Sequence, residues 1–234
     1  MRTMRKLLAL LALVPALAVG AETGFRLDRS PHDVNDLASL QTGAKLYMNY
    51  CSGCHGIQYM RYNRLTEVGL SEDQIRDNLM FTADKVGETV RIPLEPKLGK
   101  QWFGVAPPDL SVISRSRGAD WLYTYLRAFY RDPKTVTGWN NAVFENVAMP
   151  HALWRLQGER AYDREKRAFT ELSKGTLGPV EYDMAVRDLV NFLAYVGEPA
   201  AERRKNIGIV VLFALGVLFI FAYLMKREFW KDVP

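Results

Sequence analysis

The sequence predicts a mainly α-helical domain held at a membrane by one C-terminal helix. Three observations lead there. Residues 207–225, IGIVVLFALGVLFIFAYLM, run for 19 positions without a charge. At a rise of ~1.5 Å per residue, such a run spans the ~30 Å hydrocarbon core of a bilayer. Upstream, helix-start residues and apolar stripes at helical spacing recur. Finally, 234 residues of which 48% are apolar suit one domain with a real core plus extensions.

Taken in order, MRTMRKLLALLALVPALAVGA at 1–21 is a basic stretch, a Leu/Ala-rich core and small residues, the pattern of a secretory signal cleaved after Gly20 or Ala21. An uncleaved anchoring helix is its alternative, disfavoured by the short run and by Pro15. Residues 22–200 then form the exported domain. Thr42 is expected to cap a helix running through AKLYMNYCSGCH, on which Leu46 and Tyr50 lie four apart. Ser71, with Gln74 three residues on, has the capping-box pattern of a second helix. Residues 86–118, rich in Pro and Gly, read as mostly loop. Asp120 is expected to cap WLYTYLRAFYR, which Pro133 stops. The charged stretch RLQGERAYDREKRAF reads as an exposed insertion, with a small hairpin around Ser173-Lys174-Gly175. Ala185, Leu189, Phe192, Leu193 and Val196 form the stripe of a last soluble helix, which Gly197 and Pro199 separate from the span. The membrane helix occupies 201–226 and a short tail 227–234. Arg203, Arg204 and Lys205 precede the apolar run, and Lys226, Arg227 and the interfacial Trp230 follow it. Both flanks are basic, so the signal rather than the charge orients the span: the domain outside, the tail in the cytoplasm.

A formal charge of +5 invites a nucleic-acid reading, but the charge sits at the ends. Between 22 and 201 there remain 22 of the 31 basic and 23 of the 26 acidic residues, a net of −1. No nucleic-acid partner is expected; the basic ends address membrane lipid.

The chain holds two cysteines, Cys51 and Cys54, with His55 directly behind the second. Four readings compete. A structural disulfide is geometrically poor at this spacing within a helix and leaves the histidine idle. A thioredoxin-like pair normally accompanies a βαβ pattern, which is missing. A structural zinc site needs four ligands, and only His32 and His151 remain as further histidines. The fourth is covalent attachment of one c-type haem. On a helix, positions i, i+3 and i+4 share a face, so both thiols can bond the macrocycle's vinyl groups while His55 meets the iron. Export fits, because bacterial c-type haem attachment takes place outside the cytoplasm.

One axial position is then left. Methionine and histidine are the usual donors, and methionine raises the reduction potential. Met48 and Met60 lie too near the motif to reach the other side of the ring, and Met80 and Met184 fall in helical patterns. Met149, in NVAMPHALW, lies on a loop stiffened by Pro150, with His151 as its rival.

YCSGCHGIQYMRYNRL at 50–65, APPDLSVISRSRG at 106–118, WNNAVFENVAMP at 139–150 and the terminal span, in that order, resemble the cytochrome c1 family. The PPDLS block and the anchor set the resemblance apart from small soluble cytochromes c. It implies a class I cytochrome c-like haem domain with loop insertions, haem carried by Cys51 and Cys54, and His55 and Met149 as axial ligands. It also implies Arg117 as partner of a haem propionate, the alternative being a solvated charge. Trp102, Pro107 and Pro108 are expected to wall the haem, with ordinary loop packing as the alternative; Trp121 and Tyr125 fall in the same class. Some members carry a disulfide outside the motif, which this chain cannot form.

The implied function is single-electron transfer in a bacterial inner membrane. The donor would be the Rieske iron–sulfur protein and the acceptor a periplasmic cytochrome c, within a quinol–cytochrome c oxidoreductase that includes cytochrome b. Gly208, Ala214 and Gly216 could pack the span on cytochrome b or face lipid. The alternatives are a membrane-anchored cytochrome c subunit of a terminal oxidase or nitric oxide reductase, and a haem enzyme such as a peroxidase. A haem sensor would need an output domain, and 226–234 is too short for one.

Overall fold

The structure, a computed structural model, describes residues 25–232. The expected signal at 1–21 lies outside them. The first helix, α1 (Leu37–Tyr50), starts at Asp36, whose side chain accepts from the Ser39 amide. Thr42, expected as the cap, stands inside the helix instead. Asp is among the preferred N-caps, and one placed six residues earlier lengthens the helix by more than a turn.

α1 packs on the last soluble helix, α7 (Pro179–Gly197). The two come so close at Gly43 that a Cβ there would stand 2.0 Å from the Asp188 carbonyl oxygen. Around this crossing Leu40, Ala44, Tyr47 and Met48 meet Leu189, Phe192, Leu193 and Val196, all buried. The expected stripe on α7 is therefore the core face, with Ala185 half-buried and Val186 and Val190 widening it. A polar set lies inside: Ser39 Oγ donates to Asp188 Oδ1 at 2.7 Å and accepts from Asn191 Nδ2 at 3.0 Å. Each buried polar group thereby recovers part of what it loses by leaving water.

Between these helices the chain makes small pieces. β1 (Ile57–Arg61) leads into a 3₁₀ stretch, Tyr62–Val68, closed by Gly69 in the left-handed region. α2 (Glu72–Asn78) has the expected box, with Ser71 and Gln74 capping each other. The stretch 86–118 contains more than loop: β2 (Thr89–Val90), α3 (Pro96–Phe103) and α4 (Ile113–Arg117). Pro96 opens α3 at its first helical position, where a missing N–H costs nothing. α5 (Ala119–Arg127) starts after Gly118, not at Asp120. Asp120 sits in the first turn and its carboxylate accepts from the Ser30 amide at 2.8 Å. α5 stops at Arg127, and β3 (Phe129–Arg131) pairs with β4 (Trp139–Asn141).

After α6 (Trp154–Gln157), the charged insertion is a hairpin of β5 (Gly158–Asp163) and β6 (Ala168–Lys174). Its turn lies at 164–167 rather than around Gly175. Asp163 Oδ1 accepts from the amides of Glu165 and Lys166, and Arg167 takes the positive φ of 50°. A self-bonding Asp is turn chemistry as effective as glycine. Gly175 serves a close crossing instead: a Cβ there would meet the Leu156 carbonyl oxygen at 2.2 Å. α8 (Ala201–Phe229) has 29 residues, none buried, and is about 44 Å long at 1.5 Å per residue.

Candidate haem site

α1 ends at Tyr50, so the motif lies just past the helix rather than within it. Ser52 Oγ donates to the Met48 carbonyl at 2.7 Å, a side-chain bond that competes with helix continuation. The chain still makes one further tight turn. The Cys54 amide donates to the Cys51 carbonyl at 3.0 Å, and the His55 amide to the same oxygen at 2.8 Å. These are i+3 and i+4 bonds, so the spacing that brings the three side chains together survives. Tyr47, buried in the core, donates its hydroxyl to the His55 carbonyl and ties the turn to α1.

His55 Nδ1 lies 2.7 Å from the Pro108 carbonyl oxygen. A carbonyl only accepts, so Nδ1 carries the proton and Nε2 keeps its lone pair for a metal. Burial lowers the imidazole pKa, the Pro108 bond opposing it, and the neutral form that ligates is favoured. The Pro108 segment is itself pinned to the motif's far side. Asp109 Oδ2 accepts from the Gln58 amide at 2.9 Å, the Leu110 amide donates to the Gly56 carbonyl at 2.7 Å, and Ser111 Oγ accepts from the Tyr59 amide at 3.1 Å. From outside, α3 presses on it at Gly99, where a Cβ would be 2.7 Å from Pro107 Cδ.

Cys51, Cys54, His55 and Met149 all border one cavity, partly open to solvent. Its remaining lining is almost wholly apolar: Tyr50, Phe103, Val105, Pro107, Pro108, Ala148, Pro150 and Ala152. Of the expected wall, Pro107 and Pro108 are there. Trp102 is exposed, and its neighbour Phe103 takes the lining position.

Met149 arrives on a loop held by two buried asparagines. Asn140 Oδ1 accepts from the Asn146 amide at 2.9 Å, and Asn141 Oδ1 accepts from the Val143 amide at 2.9 Å. Asn141 Nδ2 donates to the Tyr125 carbonyl at 2.8 Å, fastening the loop to α5. The Tyr125 hydroxyl points at Met149 Sδ, 3.5 Å away. His151, the rival donor, is not in the cavity lining. It stacks on Phe129 at 4.7 Å with rings nearly parallel, and its Nε2 meets Gln157 Oε1 at 2.8 Å. Burial pushes its pKa down to about 3, so it is a neutral core residue.

Arg117 and Trp121 lie outside that lining. The exposed guanidinium of Arg117 sits 5.2 Å from the centre of the Trp121 ring and 5.9 Å from that of Phe144. Trp121 stacks on Tyr125 at 4.6 Å, one ring behind the cavity wall. The sequence reading missed Phe103, Val105 and the asparagine pair. Adjacent asparagines in a strand that ends at a loop are a usable sign of side chains replacing a backbone ladder.

The donor set bears on three of the four readings of the motif. Among the described residues no cluster of three His, Cys, Asp or Glu side chains is placed to hold a metal ion. Burial pushes the Cys51 thiol up to about 12 and raises that of Cys54, the reverse of a reactive redox pair. Two thiols, an imidazole with a free Nε2 and a thioether, all bordering one apolar space, fit a c-type haem.

The family model described as "Cytochrome C1 family" matches residues 28–90 and 83–233. The chain is 46% identical over 233 residues to the ammonia monooxygenase gamma subunit of Nitrosomonas europaea, covering all of both chains. It is 44% identical over 243 residues to cytochrome c1 of Allochromatium vinosum, covering 98% of this chain and all of that one. A solved chain titled "Hyperthermophilic respiratory Complex III" aligns over the whole of both chains at 15% identity and a TM-score of 0.45. With the family model matched along almost its whole described length, the chain belongs to the cytochrome c1 family.

Proposed function

We propose that this chain takes single electrons from a Rieske iron–sulfur protein and passes them to a cytochrome c, using one haem bonded to Cys51 and Cys54 and ligated by His55 and Met149. The family places it in electron transfer in a respiratory bc1 complex, with a haem c cofactor. The observation that carries the finer reading is the single apolar cavity shared by both thiols, His55 and Met149. When bound, the haem would be held by Cys51, Cys54, His55 and Met149 and would supply a one-electron couple.

The chain's own residues do the rest. Pro108 holds His55 in one tautomer and ring orientation. The Asn140–Asn141 scaffold fixes the loop carrying Met149, so neither ligand has far to move when the charge changes. The prolines, Phe103 and Val105 give the site an apolar lining, which would favour the less charged reduced state and a high potential. Arg117, beside Trp121 and Phe144, would be the partner of a haem propionate.

The one helix of described residues able to cross a bilayer, α8, anchors the domain. The haem domain would lie in the periplasm, with 227–234 in the cytoplasm. Cytochrome b would receive the span.

The 46% identity to a chain named as an ammonia monooxygenase subunit favours a second reading, the same carrier delivering electrons to an oxygenase. Gentle solubilisation of the tagged chain from its native membrane separates the two. Co-purification with b-type haem and an iron–sulfur protein supports the first, and co-purification with an oxygenase in their place contradicts it.

A further inference from the structure

We propose that Tyr125 is a positioning residue that sets the strength of the Met149 thioether as a donor, by hydrogen-bonding its sulfur. The inference rests on the reading of Met149 as axial ligand. The Tyr125 hydroxyl is 3.5 Å from Sδ, and that sulfur is its one hydrogen-bond partner among the described residues. This is an ordinary distance for a donor meeting a large second-row acceptor. The tyrosine is only 8% exposed, so its O–H is largely withdrawn from bulk water. Its ring is immobilised on two sides, stacked on Trp121 at 4.6 Å and edge-on to Phe129 at 5.1 Å. Asn141 Nδ2 holds its carbonyl, and the same asparagine shapes the methionine loop. Donor and acceptor are thus placed by one scaffold.

A thioether sulfur has two lone pairs. With one directed to iron, the other is free to accept the phenol proton. The hydrogen bond draws density from the sulfur and makes it a poorer σ-donor. A ferric centre depends on that donation more than a ferrous one, so the bond raises the reduction potential. It also selects one rotamer of a side chain with three freely rotating bonds.

The test uses full-length protein from native membranes, as wild type, Tyr125→Phe, and with 3-fluorotyrosine placed at 125. The readouts are the midpoint potential, the methionine-to-ferric-iron charge-transfer band and thermal unfolding. Tyr125→Phe is expected to shift the ferric-to-ferrous ratio at fixed ambient potential about threefold toward ferric, ~28 mV at 59 mV per tenfold for one electron. The charge-transfer band should persist. The fluorinated ring, a stronger donor, is expected to shift the ratio the opposite way. A role in packing alone would change the unfolding temperature and leave the potential of both proteins at the wild-type value, which overturns the proposal. A wild-type protein that lacks the band and binds carbon monoxide when reduced overturns the Met149 reading itself.

Discussion

His55 Nδ1 is bonded to the carbonyl oxygen of Pro108, 53 residues further along the chain, and Pro107 lies beneath Gly99 of α3. The orientation of the imidazole therefore depends on how α3 packs on Pro107. Gly99→Ala would place a methyl 2.7 Å from Pro107 Cδ and displace the carbonyl. The imidazole then loses basicity, and partners of this kind alter metal affinity about 10- to 100-fold. The expected result is lower haem content and a higher midpoint potential in what is loaded, measured by redox titration. Gly87→Ala is the control, because it lies outside the motif and nothing is within 4 Å of its Cβ.

The two cysteines make separable contributions. Cys54→Ala should leave haem bonded through Cys51 alone, so that it still migrates with the denatured polypeptide and shows the haemochrome spectrum of a single thioether. With both replaced by alanine, acid–acetone should extract all of it. Haem extracted as easily from the single variant as from the double one would count against attachment at Cys51.

The α1–α7 crossing sets overall stability. Gly43→Ala forces a methyl to within 2.0 Å of the Asp188 carbonyl, and backbone cannot step aside as a side-chain tip can. Overpacking of this kind costs about 1–3 kcal/mol. For a domain of this size that lowers Tm by roughly 2–12 °C. An unchanged Tm by calorimetry would show that the helices separate at little cost.

Acid sensitivity has an identifiable source on the β3–β4 loop. Hydrogen bonds from Asn140 Nδ2 and from the Lys134 amide hold the Asp132 carboxyl below its ordinary pKa. A depressed carboxyl stabilises the fold above its unfolded pKa, and the contribution is lost as pH falls through the folded value. The group is almost fully solvated, so the effect is small. Wild type should exceed Asp132→Asn in Tm at pH 6, with the difference closing below about pH 4, near the unperturbed carboxylate range. A constant difference across that range would place the effect elsewhere.

What could be read in the sequence and what could not divide along the range of the forces involved. The Ser71–Gln74 capping box, the α7 stripe and the uncharged span are local or periodic signals, and the structure has each of them. The motif's grouping of Cys51, Cys54 and His55 persists although α1 stops before it, because the following turn keeps the same hydrogen-bond spacing. Thr42 and Asp120 have capping chemistry, but Asp36 and Gly118 start their helices, since tertiary contacts decide where the chain enters. The hairpin turn was expected at Gly175, which is needed for backbone contact with Leu156 instead. At the site, the residues alone left Met149 open against His151, and the family resemblance pointed to Met149, Pro107 and Pro108, whereas Phe103, Val105 and the Asn140–Asn141 scaffold depend on long-range placement. Arg117 and Trp121 stand together, one ring away from the cavity.

The most direct test of the central claim follows electrons through the intact chain. Full-length protein in its native membrane, or gently solubilised from it, is given a quinol. Reduction of its c-type haem and of added cytochrome c is then recorded with and without an inhibitor of the quinol site on the iron–sulfur side. The account requires both reductions to occur and both to stop with the inhibitor. A c-type haem that stays oxidised with quinol, while dithionite reduces it and the b-type haems are intact, would contradict it.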